Sequence, residues 1–162
     1  MGIVLVPMVP ADVPTLTLIM TRAFDDDTRR HTARPAGGPP GYDDGTFLNK
    51  YGLSSESDAY TIRDGDTVIG AVIVFPIDRQ TYFLGNVFID PPYQDSGVGM
   101  KVWNRIESTY PGAITWKTET QGFSKRNHHF YVNKCGFHIV KITRSDDRNL
   151  ESYHMIKTRT PS

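Results

Sequence analysis

Val87-Phe88-Ile89-Asp90-Pro91-Pro92-Tyr93-Gln94-Asp95-Ser96-Gly97-Val98-Gly99-Met100-Lys101-Val102-Trp103 is the stretch on which the reading of this chain turns. An apolar run stops at Asp90-Pro91-Pro92, a short loop with two glycines follows, and a helical pattern starts at Val98. Such a strand–loop–helix unit aims backbone N–H groups and the positive end of a helix dipole at one point, which suits a phosphate or pyrophosphate. Gly97 and Gly99 admit close backbone approach and φ values that a larger residue resists. A P-loop would need a Gly-Lys-Ser/Thr triplet, and the chain has none. A dinucleotide fingerprint would need a third glycine where Val102 stands. What remains is Gln94-x-x-Gly97-x-Gly99.

Outward from this unit, the helix carries Val98, Val102, Ile106 and Tyr110 on one i+4 row and ends at Pro111-Gly112. Upstream, Thr81–Ile89 reads as a strand in which Gly85 marks a bulge or kink. Ala59–Arg63 and Thr67–Phe75, joined by Asp64-Gly65-Asp66, read as a hairpin. Nearer the start, Ile3–Val9 is a strand and Asp12 caps an amphipathic helix over Asp12–Phe24, with Val13, Leu16, Ile19, Met20, Ala23 and Phe24 at helical spacing. Asp25–Gly45 is polar and rich in Gly and Pro, which predicts a long loop with a short helix near Asp27–Thr32. A further short helix follows at Thr46–Tyr51. Downstream the pattern gives a strand at Ala113–Thr118, a helix at Ser124–Lys134, and strands at Gly136–Thr143 and Ser152–Lys157. No repeat or linker interrupts residues 1–162, which are expected to form one domain.

Composition narrows the function classes. Hydrophobic residues make up 38% and charged residues 22%, as in an ordinary globular chain. The single cysteine, Cys135, excludes an internal disulfide framework and fits a reducing compartment. No apolar run nears the ~20 residues of a membrane span, and no secretory leader pattern is present, so a cytoplasmic location is expected. Net charge is zero, yet residues 1–66 carry ten Asp/Glu against six Lys/Arg, and residues 67–162 carry eight against twelve. A basic half holding the glycine loop agrees with an anionic cofactor, and an acidic half could face a cationic substrate. Chance asymmetry on a solvated surface is the alternative. Without a basic stripe, nucleic acid is not expected as a partner.

The Gln94-x-x-Gly97-x-Gly99 loop, with Asp90-Pro91-Pro92-Tyr93 before it, resembles the acetyl-CoA pyrophosphate loop of the GCN5-related N-acetyltransferase (GNAT) superfamily. A second resemblance lies in Asn127-His128-His129-Phe130-Tyr131-Val132-Asn133-Lys134-Cys135-Gly136-Phe137. Members of that superfamily carry an Asn-rich helix start, a Phe/Leu-Tyr pair and a closing Gly-Phe. Here one more residue separates Tyr131 from Gly136 than in the commonest pattern. The order of elements resembles the GNAT fold over nearly the whole chain. It implies an α/β protein of the α+β type, with a mixed, mostly antiparallel sheet of six or seven strands flanked by about four helices and splayed at the acetyl-CoA site.

The resemblance implies an acetyl-CoA-dependent N-acetyltransferase acting on the primary amine of a small molecule by direct transfer. A peptide or protein acceptor, and a non-catalytic coenzyme-A-binding sensor, are the alternatives. Phe88 and Ile89 match the strand positions that meet the pantetheine arm. The backbone of Gln94, Asp95, Ser96, Gly97, Val98, Gly99 and Met100 matches the pyrophosphate cradle, and Asn127 matches a cofactor contact or a helix cap. Tyr131 matches the general acid that protonates the coenzyme A sulfur, the other reading being a core tyrosine. Glu119 is a candidate general base just past its strand; Asp90 is a second, read rather as a turn or cap residue.

Asp25-Asp26-Asp27 fall where three carboxylates would oppose a helix dipole. Either the helix has ended and Asp27 caps a new turn, or the acids, with Asp43 and Asp44, serve an amine substrate; Tyr42 and Phe47 then add an aromatic wall or simply anchor the loop. A solvated charge run is the plainer reading. His128, His129, Cys135 and His138 offer too few converging ligands for zinc, so no metal is expected. A homodimer is common in such folds, and nothing in the chain demands one.

Overall fold

Ile69-Gly70-Ala71-Val72-Ile73-Val74 lies at the centre of the apolar run Val68–Phe75, and all six residues are buried in the centre of a strand. A strand apolar on both faces must be covered on both faces. In the computed structural model, which describes residues 2–144 and 151–159, this is what β3 (Thr67–Pro76) shows. Ala71 and Ile73 pack with Leu16, Ile19, Met20 and Ala23 of α1 (Val13–His31). Val72 and Val74 point the other way, to Val102, Trp103 and Ile106 of α2 (Val98–Thr109).

The remaining strands are β1 (Ile3–Pro7), β2 (Asp58–Asp64), β4 (Thr81–Ile89), β5 (Thr115–Gln121), β6 (His138–Thr143) and β7 (Ser152–Thr158). They form a seven-stranded sheet in the order β1-β2-β3-β4-β5-β7-β6. Every pairing is antiparallel except β4 with β5. The β2–β3 hairpin turns at Gly65, whose φ is +62°. Gly85 stands at the register shift between Leu84 and Asn86 opposite β3, as its isolated position in the strand predicts. The mixed open sheet with helices on both faces is the expected fold class.

Four local expectations are corrected. α1 does not stop at Phe24 but runs to His31, absorbing the short helix expected after it. Arg30 Nε meets Asp26 at 2.8 Å and His31 lies 3.5 Å from Asp27, each four residues on. Arg29, Arg30 and His31 in the last turn complement the dipole that the three aspartates oppose. Asp12 sits at the start of α1, but its carboxylate reaches back to the Val9 N–H and to the Thr61 hydroxyl, tying the entry turn to β2. β5 extends to Gln121, so Glu119 lies within the strand. The helix expected over Ser124–Lys134 is an α-turn, α3 (Lys125–His128), running into a π-helical stretch at His129–Lys134.

Candidate active site

β4 and β5 pair only from Thr81–Leu84 to Thr115–Thr118. Beyond Leu84 the two strands separate, and the Thr118 hydroxyl donates to the Leu84 carbonyl at 2.8 Å across the base of the fork. Parallel neighbours that part in this way leave the edge of Gly85–Ile89 that faces β5 without a strand partner, so its backbone groups are free to bind an extended ligand.

Two cavities flank the fork. The smaller, about 430 Å³, is lined by Phe88 and Ile89 of β4, by Gln94, Asp95 and Gly97 of the loop, by Val98, Gly99 and Met100 of the first turn of α2, and by Asn127 and Tyr131. The larger, about 640 Å³, is lined by Glu119, Thr120 and Gln121 of β5, by Asn86 and Val87, and by aromatic residues on the far side. Asn127 and Tyr131 border both, with Phe24 and Val87. The sequence-derived loop, tyrosine and carboxylate are therefore brought to one fork.

Gly97 precedes α2 with φ +81°, and Asp95 also lies at positive φ, +62°. A Cβ on Gly97 would meet nothing within 4 Å, so its cradle is open and the requirement there is conformational. Gly99 differs. A Cβ there would stand 2.8 Å from the Phe130 ring, so this glycine lets α2 close onto the π-helical segment. Ser96 is turned outward and donates to the Tyr93 carbonyl. The Gln94 amide donates to the Ile89 carbonyl at 2.7 Å and accepts from Arg126, bracing the loop between strand and helix. Arg126 and Lys134 line the smaller cavity and supply positive charge for an anionic ligand. The basic excess of residues 67–162 was the signal that could have found them.

The extra residue between Tyr131 and Gly136 is accommodated by the π-helical stretch, where the Cys135 N–H reaches the Phe130 carbonyl at i→i+5. Gly136, at φ +87°, then ends the segment. Tyr131 stays directed into the fork. Its burial pushes the phenol pKa up, nearby Cys135 adds to the shift, and a hydrogen bond with Thr118 works against it. The phenol is protonated at neutral pH, as an ordinary tyrosine is, and the upward shift makes it a weaker proton donor than a solvated one. Cys135 is buried, and desolvation raises its thiol to about 12, so it is a core residue and no nucleophile. Glu119 is partly exposed and lies 3.8 Å from His154 on β7. Asp90 is held by a two-point ion pair, Arg22 Nε–Oδ1 3.0 Å and Nη2–Oδ2 2.8 Å; it anchors α1 to the end of β4.

Asp25, Asp26 and Tyr42 do not line either cavity, and Asp27 borders only the smaller one. Asp25 accepts from the Gly37 N–H at 3.0 Å and from the Tyr42 hydroxyl at 2.5 Å. That contact, after desolvation, raises the Tyr42 phenol to about 12. These residues fold the Gly- and Pro-rich loop whose Pro39, Pro40 and Gly41 wall the larger cavity. Asn127 donates to Thr120 at 3.2 Å, linking the helix to β5. Among the described residues no group of three or more His, Cys, Asp or Glu could hold a metal ion. None of the described helices is long and apolar enough to cross a membrane.

The mixed sheet is thus forked between two parallel strands, with the glycine loop and one cavity on one side and a second cavity on the other. The chain belongs to the acetyltransferase (GNAT) family, whose family model matches residues 21–137. It is 39% identical over 90 residues to the uncharacterized protein YrkN of Bacillus subtilis (strain 168), covering 56% of this chain and 49% of that protein. The chain thus spans about half the length of that curated relative. In structure it is similar to an acetyltransferase from Thermus thermophilus, with a TM-score of 0.76, 16% identity and 98% of each chain covered. It is also similar to the PaiA N-acetyltransferase from Thermoplasma acidophilum in complex with coenzyme A, with a TM-score of 0.74, 16% identity, and 98% of this chain and 100% of that one covered. At these identities the likeness establishes the fold.

Proposed function

We propose that this chain is an acetyl-CoA-dependent N-acetyltransferase that acts on the primary amine of a small molecule by direct transfer in a ternary complex. One observation carries the reading: Tyr131 and Asn127 border both cavities at the point where β4 and β5 separate. Two ligands entering from opposite sides would meet at the phenol.

The residues fit acetyl-CoA. Gly97 leaves its cradle open at the start of α2, Arg126 and Lys134 oppose anionic charge, and β4 offers a free strand edge. When bound, acetyl-CoA supplies an acetyl group activated as a thioester. The backbone of Gln94–Met100 would hold the pyrophosphate, and Phe88 and Ile89, which line the same cavity, would border the pantetheine arm. A backbone N–H of β4 beyond Leu84 polarises the acyl oxygen. The amine nitrogen bonds to the acyl carbon as the carbon–sulfur bond breaks. Glu119, on the acceptor side, takes the proton that the nitrogen loses. Tyr131 gives its proton to the departing sulfur and regains one from solvent.

The loop over the larger cavity supports a small acceptor in preference to a peptide lying in an open groove. Steady-state kinetics by free-thiol release test the reading. Tyr131→Phe is expected to lower kcat about 100-fold while the KM for acetyl-CoA moves less than about twofold. An unchanged kcat would remove Tyr131 from the chemistry. Acetyl-CoA binding without turnover of any amine would favour a sensor.

A further inference from the structure

The acceptor cavity is aromatic. Phe47 and Tyr51 lie 4.8 Å apart between ring centroids, Tyr51 and Phe75 6.4 Å, and Phe75 and Phe83 6.4 Å. All four line the larger cavity, and Phe24 lines it as well. None of these rings is fully buried, so each keeps surface that a ligand could cover. Charge is scarce by comparison. Among the described lining residues, Glu119 and Lys50 alone carry charge, and the Lys50 ammonium sits 5.1 Å above the Tyr51 ring. The acidic run that suggested a cationic amine is engaged elsewhere: Asp25 on the loop, Asp26 on Arg30 and Asp27 on His31.

We propose that the acceptor is a primary amine with one positive charge on an aromatic or bulky apolar body, an arylalkylamine, and that polyamines are disfavoured. This rests on the N-acetyltransferase reading and specifies its substrate class. The apolar body gains by covering the Phe47, Phe75 and Phe83 rings, and its ammonium finds Glu119. A second ammonium would enter an aromatic space with no second carboxylate and with Lys50 repelling it. An unpaired charge removed from water is costly. The cavity volume of about 640 Å³ leaves room for such a body.

The test uses the full chain and begins with calorimetric titration of acetyl-CoA, followed by free-thiol release with tryptamine, phenethylamine, spermidine, kanamycin and an alanyl peptide. The expected kcat/KM for tryptamine exceeds that for spermidine by about tenfold or more. Phe47→Leu and Phe83→Leu should each raise the KM for tryptamine about tenfold and leave the KM for acetyl-CoA unmoved. Spermidine, kanamycin or peptide turning over as well as tryptamine would overturn the proposal. So would acetyl-CoA binding with no turnover of either arylalkylamine, or leucine variants with unchanged discrimination. A folded protein that does not bind acetyl-CoA would instead bring down the N-acetyltransferase reading beneath it.

Discussion

Replacing Gly97 and Gly99 one at a time separates two requirements that the motif presents as one. At Gly97 an alanine Cβ has open space, so the cost is conformational. Holding an L-residue at φ +81° costs about 1–2 kcal/mol, partly offset by roughly 0.4–1 kcal/mol from a less flexible unfolded chain. Gly97→Ala should therefore lose about 1 kcal/mol in urea unfolding and keep its Cβ clear of neighbours. At Gly99 the backbone is unconstrained, but the Cβ would lie 2.8 Å from Phe130 Cε1 and 3.1 Å from Cζ. That is about 0.7 Å inside the ordinary carbon–carbon contact distance, an overpacking worth about 1–3 kcal/mol. The ring that must move sits 5.4 Å from that of Tyr131 and lines the smaller cavity. Gly99→Ala should thus weaken acetyl-CoA binding about tenfold by calorimetry, and Phe130→Leu in the same chain should restore most of it. If Gly99→Ala binds like the parent, or if Phe130→Leu rescues nothing, steric closure of α2 onto Phe130 is not what Gly99 provides.

Two further outcomes follow from groups that line neither cavity. The Tyr110 hydroxyl donates to Asp58 at 2.7 Å and lies 2.9 Å from that of Tyr60; burial first, then these partners, pushes its pKa up. Tyr110→Phe should cost about 1–3 kcal/mol in denaturant unfolding, with no change in acetyl-CoA affinity; a neutral effect would mean that water replaces the network. His128 stacks on Tyr153 at 4.4 Å and meets the Gln121 carbonyl at 3.0 Å. Desolvation draws its pKa below the ordinary 6.5, with His31 acting in the same direction and the Gln121 carbonyl and Asp27 opposing. The folded state therefore favours neutral imidazole. Its contribution is fully present above pH 6.5 and is lost as pH falls through the lower folded value. The thermal midpoint should drop on that acid side, and His128→Gln should flatten the drop; an identical pH profile in the variant would rule His128 out as its source.

Local chemistry was legible in the sequence wherever a pattern is set by neighbouring residues. The apolar alternation and turn signals marked the strands. Gln94-x-x-Gly97-x-Gly99 marked the glycine turn at the start of α2, and Gly136 the left-handed stop before β6. The course of α1 through Asp25–Asp27 was less legible, because the i,i+4 partners Arg30 and His31 lie beyond the point where the apolar face ends.

What only the tertiary structure decided is which residues share a space. Phe47, Tyr51, Phe75 and Phe83 come from the segment after α1, from β3 and from β4, and their rings meet only once the sheet has formed. The fork itself depends on β5 pairing with β4 for four residues and no more. The acidic run was visible in the sequence; that Asp25 folds a loop rather than lines a cavity depends on partners as distant as Gly37 and Tyr42. A charge in a sequence announces its sign, but its role is set by the counter-charge and the solvent it meets in the folded chain.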